Sequence, residues 1–181
     1  QEISGQLLVH PYGKEMVDLM QRCYKEGVTI QQATFELVND LFAAYGLLIL
    51  LPDNRLLKKE FAPVIKRELL EQFSHKAVTG TVAAFPSKYK IQAAGRELNM
   101  FYLEDNSRER IERVSGAANL NGHRQWSIVN KEKVFEEQQI LDELKEYPER
   151  FSPNVILRPV FQETILPNVA FIGGGGEIAY W

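Results

Sequence analysis

Asn168-Val-Ala-Phe-Ile-Gly-Gly-Gly-Gly-Glu-Ile-Ala-Tyr-Trp181 closes the sequence and decides how its fold is read. Asn168 to Ile172 is a short apolar run with strand chemistry, Gly173 to Gly176 is a glycine turn, and Glu177 to Trp181 has the composition of a first helical turn. α/β proteins use a strand, a glycine turn and a helix start to hold charged ligands. Glycine admits the ligand close to the backbone, and the helix start offers unpaired N–H groups to an anion. One helical turn is too short to stand alone, so the chain reads as a piece of a longer protein. Four glycines also suit a flexible linker. Linkers have polar flanks, whereas apolar residues flank this run on both sides, so a ligand-adjacent turn is expected. The run lacks the spacing of a dinucleotide fingerprint, and no Lys-Ser or Lys-Thr follows it as in a P-loop.

Immediately upstream lies Phe151-Ser-Pro-Asn-Val-Ile-Leu-Arg-Pro-Val-Phe-Gln162. Asn154, Arg158 and Gln162 are spaced four apart, so a helix would set all three on one face. Pro159 interrupts that geometry unless it opens a helix of its own. Arg158 among apolar neighbours needs a carboxylate or phosphate, from this chain or from a ligand. Glu177 is explained by the helix dipole alone, and equally by binding a substrate ammonium or hydroxyl group or by acting as a general base.

Further out, Leu47-Leu-Ile-Leu-Leu51 between Gly46 and Pro52 reads as a strand buried on both faces in a parallel sheet. Asp53 would then sit at the carboxyl end of a core strand, either as a ligand contact or, with Asn54, as a helix cap. Helices are expected from Tyr12 to Gly27 and, opened by the capping box Thr29-Ile-Gln-Gln32, from there to Gly46. Cys23 lies on the first helix's apolar stripe and reads as a structural thiol. Leu57, Phe61, Ile65, Leu69 and Phe73 predict a long helix or two kinked at Pro63, with Lys58, Lys59, Glu60, Lys66, Arg67 and Glu68 on its solvated face. Residues 74–87 read as weakly helical. Short strands follow at Tyr89–Ala93, Asn99–Leu103, Arg108–Val114 and Trp126–Val129, with turns at Glu104–Ser107 and Asn121-Gly122. Lys131 to Tyr147 returns to helix. The expected organisation is helices and a first core strand over 1–87, an inserted antiparallel β subdomain over 88–130, and helix, strand and glycine loop over 131–181.

Composition narrows the function classes. The 181 residues carry a net charge of −3, which argues against a nucleic-acid or anionic-membrane surface. A single cysteine excludes a disulfide framework and a cysteine-based zinc cluster. The longest apolar run is too short to span a bilayer, and the cytoplasm is the expected compartment. His10, His75 and His123 form neither a metal-spaced pair nor a nucleophile–base constellation, so no metal site is evident.

The 151–162 segment, Leu166-Pro-Asn168 and Phe171-Ile-Gly-Gly-Gly-Gly-Glu-Ile-Ala-Tyr-Trp181 together resemble the bacillithiol biosynthesis cysteine-adding enzymes. Leu41 to Leu50 with Asp53-Asn54 is similar to that family's central strand, and Arg96 to Leu103 with Arg108 to Glu112 to its inserted strands. The resemblance implies an α/β, Rossmann-like core fragment of nucleotidyl-transferase type with an inserted small antiparallel β subdomain. It also implies another half of the core and a dimerising coiled coil outside this sequence, so that the fragment alone is expected to be inactive. The implied reaction joins the carboxyl group of cysteine to the amine of glucosaminyl-malate. Asn154, Arg158, Gln162, Gly173, Gly174, Gly175, Gly176, Tyr180 and Trp181 match as substrate-binding candidates, Glu177 as the catalytic candidate and Asp53 as a secondary one. ATP or another nucleotide is the open question among cofactors. A non-catalytic nucleotide- or sugar-binding module is the rival reading, and an interaction scaffold built on the charged strands (Arg108, Glu109, Arg110, Glu112, Arg113) is a third.

Overall fold

The computed structural model describes residues 2–114 and 124–179, so the expected Asn121-Gly122 turn lies outside the described residues. The chain divides into two compact units, Gln1–Leu51 and Pro52–Trp181.

In the first unit α1 (Glu2–Leu7) and α2 (Gly13–Cys23) precede α3 (Ile30–Phe42). Thr29 opens α3 as expected, its hydroxyl accepting the Gln32 N–H at 3.2 Å. Gly46, at φ +79°, ends the short 3-10 turn Ala43–Tyr45 with a left-handed residue. α2 and α3 bury Val17, Leu19, Cys23 and Ala33, and an Arg22–Asp40 ion pair at 2.7 Å ties them together. The Leu47–Leu51 run is not the expected buried strand. It has no secondary structure and Leu48 is 86% exposed. Its apolar side chains suit a sheet interior, but no strand pairs with it among the described residues, and its exposed backbone is left to water.

The second unit is built on α4 (Arg55–Glu71) and a five-stranded antiparallel sheet ordered β4 (Lys133–Glu136), β3 (Gln125–Ile128), β2 (Ser107–Arg113), β1 (Met100–Glu104), β5 (Phe151–Pro153). Asn54 starts α4, its side-chain oxygen accepting the N–H groups of Leu56 (2.9 Å) and Leu57 (3.3 Å). Asn54→Ala is therefore expected to lower stability by about 1 kcal/mol in urea unfolding, while Asp53→Ala does not remove this cap. α4 passes through Pro63 as one helix and stops where Gln72 turns left-handed at φ 53°, which releases α5 (Phe73–Ala84).

β1 (Met100–Glu104), β2 (Ser107–Arg113) and β3 (Gln125–Ile128) follow the expected meander. Two strands were not anticipated, β4 (Lys133–Glu136) and β5 (Phe151–Pro153), and Tyr89–Ala93 is not a strand. The helix expected from Lys131 is shorter: α6 spans Glu137–Glu146, opened by a capping box between Glu136 and Gln139. Phe101 pairs with Arg110 across the ladder, Met100 with Pro153, and Ile111 with Ile128. Period-2 alternation thus places Met100, Tyr102, Ile111, Trp126 and Ile128 on one buried face. Phe61, Ile65 and Leu69 of α4, Ile140 and Leu144 of α6, and Phe161 of α7 (Arg158–Ile165) complete that core. Phe61 and Phe161 meet edge to face at 5.0 Å, a geometry that adds about 1 kcal/mol to the burial itself.

β5 is an edge strand. Asn154 N donates to Asn99 O, so the alternation turns the carbonyls of Phe151 and Pro153 away from β1. Lys58 Nζ donates to Phe151 O at 2.7 Å and Arg108 Nη2 approaches Pro153 O at 3.5 Å. Pro153 has no N–H to offer. That edge is therefore closed to a further strand, and Asn168–Ile172, expected as a strand, is irregular, with Val169 and Ile172 fully exposed.

Candidate functional site

Asn154 sits where β5 ends and turns into α7. Its backbone N–H bonds Asn99 O (3.0 Å), its Nδ2 donates to Asn99 Oδ1 (2.8 Å), and its Oδ1 accepts from Ile156 N (2.8 Å) and Leu157 N (3.3 Å). Its carbonyl accepts the N–H of Arg158 at 2.9 Å. Every polar group of Asn154 is thus occupied in shaping the turn that launches α7. Pro159 lies in the first turn of α7, where its missing N–H costs nothing. Arg158 and Gln162 consequently share one helical face, while Asn154 stands before the helix as its organiser.

Glu177 comes to this place from the far end of the chain. α8 spans Gly175–Ala179, with Ile178 N bonded to Gly174 O at 3.0 Å. Arg158 Nη2 donates to Glu177 Oε1 at 3.4 Å, with the two side chains 54% and 35% exposed. The two sequence motifs therefore meet in one ion pair, and an internal carboxylate is one partner of Arg158. At that exposure the pair itself is worth at most about 1 kcal/mol. Tyr180 and Trp181 lie outside the described residues.

The glycines differ from one another. A Cβ on Gly173 would lie 2.6 Å from the Phe171 ring, whereas one on Gly174, Gly175 or Gly176 would meet nothing within 4 Å. Gly173→Ala is expected to destabilise by about 1 kcal/mol as the ring is displaced. Gly174→Ala should leave the melting temperature unchanged, so any binding defect in it reports a ligand and not the fold.

Asp53 faces a different group. Its Oδ1 lies 3.8 Å from Lys58 Nζ, and Lys58 is 1% exposed. The sequence reading placed Lys58 and Glu68 on a solvated face, yet both are buried on the core side of α4. Burial lowers the Lys58 amine to about 8, against the opposing effect of Asp53 and with a smaller contribution from Arg108 in the same direction. The Arg108 guanidinium lies 3.6 Å over the Phe101 ring and is itself lowered by burial. Asp53, Lys58 and Arg108 thus fasten the free edge of β5, one residue upstream of Asn154.

A cleft of about 310 Å³ opens beside the turn before α7, lined by Val78, Val82, Phe85, Ile91, Ile156 and Pro159. Among the described residues, no group of three or more His, Cys, Asp or Glu side chains could hold a metal ion, and no helix is long and apolar enough to cross a membrane.

Comparison with known proteins matches residues 1–181 to the family model "Bacillithiol biosynthesis BshC, N-terminal Rossmann-like domain". Curated relatives named "Putative cysteine ligase BshC" include those of Flavobacterium johnsoniae, 45% identical over 90% of this chain and 29% of the relative, and Christiangramia forsetii, 43% identical over 89% and 29%. That of Flavobacterium psychrophilum is 47% identical over 90% and 29%. The chain therefore spans less than a third of the length of the relatives it matches.

Proposed function

The chain belongs to the BshC family of bacillithiol biosynthesis, within its N-terminal Rossmann-like domain, and on that premise we propose that it supplies the anion-binding part of a cysteine ligase. The longer protein would join the carboxyl group of cysteine to the amine of glucosaminyl-malate, in the cytoplasm and as a homodimer. A carbon–nitrogen bond forms, the amine gives up a proton, and the carboxyl oxygen leaves on an activating group, for which ATP or another nucleotide is the candidate donor.

The observation that carries this reading is the meeting of Arg158 with Glu177. A guanidinium presents paired donors that fit the malate carboxylates, which no lysine matches. Glu177 beside it can hold an ammonium group or take the proton released by the attacking amine. Gln162, one turn along from Arg158, adds a neutral donor and acceptor on the same face. The open space over Gly174 to Gly176 leaves room for a ligand to lie against the backbone.

The test is a mass-spectrometric product assay on the parent-length protein with cysteine and glucosaminyl-malate, with and without ATP. Formation of the amide only with ATP supports ligation driven by a nucleotide. Tight binding of glucosaminyl-malate without product in either condition would replace the ligase by a sensing module.

A further inference from the structure

Glu68 is fully buried, and among the described residues no cation contacts its carboxylate. Instead Oε2 accepts Ser74 N at 3.1 Å, and Oε1 accepts Ser74 Oγ at 2.6 Å and Asn99 N at 3.0 Å. Both carboxylate oxygens accept hydrogen bonds, and the links beyond them run in one direction. Ser74 must donate its hydroxyl to Glu68, so its oxygen is left to accept from Asn99 Nδ2 at 2.7 Å. Asn99, whose Nδ2 also donates to Arg96 O at 3.0 Å, turns its Oδ1 outward, where it accepts Arg96 N at 3.0 Å and Asn154 Nδ2 at 2.8 Å. Asn154 in turn must present Oδ1 to Ile156 N and Leu157 N. One buried carboxylate is thus linked through Ser74 and Asn99 to the turn from which Arg158 emerges.

A buried carboxylate is not the cheapest way to fill this place, since a well-packed apolar side chain avoids its desolvation. What an apolar residue cannot do is polarise the chain of amides. We propose that Glu68, Ser74 and Asn99 are positioning residues that act through Asn154 to hold Arg158 in the geometry that receives the substrate anion. This rests on the ligase reading of the Arg158–Glu177 site. None of the three touches the proposed substrate, and each differs from a merely structural residue in what it predicts.

The experiment compares Glu68→Gln, Asn99→Asp and Ser74→Ala with wild type in the parent-length protein. Glu68→Gln and Asn99→Asp keep shape while reversing a donor or acceptor, and Ser74→Ala removes a single link where the other two fail to fold. Two quantities are read in folded variants: the dissociation constant for glucosaminyl-malate and for malate alone, and hydrogen exchange in peptides covering residues 154–165. The expected result is about a tenfold to hundredfold weaker dissociation constant, with KM raised more than kcat is lowered and exchange accelerated at Ile156 and Leu157. Unchanged exchange and affinity in folded variants would overturn the proposal. Should wild type bind neither probe, the ligase reading fails, and exchange at Ile156 and Leu157 alone still decides whether the relay sets this turn.

Discussion

Arg158→Ala in the parent-length protein is expected to weaken glucosaminyl-malate binding tenfold to a hundredfold, on the order of 1.5–3 kcal/mol for a charged hydrogen-bonded contact. The melting temperature should stay within about 2 °C of wild type, because the Arg158 side chain is half exposed and a residue of that exposure adds little to folding. The split between the two readouts separates a ligand group from a structural one. Arg158→Lys should recover only part of the affinity, since a single ammonium cannot reproduce a bidentate fork. Glucosamine lacking the malate serves as the control, and its affinity should not change. A loss of stability that parallels the loss of binding would return Arg158 to a structural role.

Lys58→Met carries the second large effect, and it appears in the pH dependence of stability. The buried amine titrates at about 8 in the folded chain against 10.5 unfolded. Between those values the unfolded chain binds more protons, so folding stability rises with pH across the window. A difference of that size corresponds to about 3 kcal/mol in all, present in full only above the unfolded value. The sign is opposite for Tyr102, which is raised chiefly by burial and by its bond to Glu143. An unfolded tyrosine ionises first, so Tyr102 lowers stability above about pH 10. The Lys58 effect is therefore read between pH 8 and 10. In that interval wild type should gain stability in urea unfolding and Lys58→Met should not. At pH 7 the variant should lie within about 2 kcal/mol of wild type, relief of the buried charge offsetting the lost donor to Phe151 O. Parallel pH profiles for the two proteins would show that Lys58 does not titrate in this window.

How much of this was legible in the sequence follows from which forces are local. Thr29 and Asn54 satisfy helix N–H groups within three residues, and Gly46 supplies a left-handed turn, so both helix starts and that stop could be read directly. The alternating strands β1, β2 and β3 were visible for the same reason. The stripe of Leu57, Phe61, Ile65, Leu69 and Phe73 does face the core, but the buried arc of α4 is wider than one apolar row. The buried set runs Lys58, Phe61, Ile65, Glu68 and Leu69, spaced three and four apart, so two charges sit on the apolar seam. That spacing was the available signal for Lys58 and Glu68, and their charge, which favours solvent, masked it. Their partners, Phe151 O, Ser74 and Asn99, come from other elements and cannot be read from α4 alone.

The runs at Leu47–Leu51 and Asn168–Ile172 have strand composition without strand structure, because composition says nothing of whether a neighbouring edge is open. At the site, the spacing of Asn154, Arg158 and Gln162 was informative, and Pro159 resolved it by opening α7 instead of breaking it. The contact of Arg158 with Glu177 spans residues that only the folded chain brings together.

The most direct measurement is a crystal structure of the parent-length protein with glucosaminyl-malate bound. The account predicts a malate carboxylate on the Arg158 guanidinium at about 2.7–2.9 Å, with Glu177 turned toward the substrate amine or an ammonium group. Density for the ligand elsewhere, with Arg158 and Glu177 still paired, would contradict it.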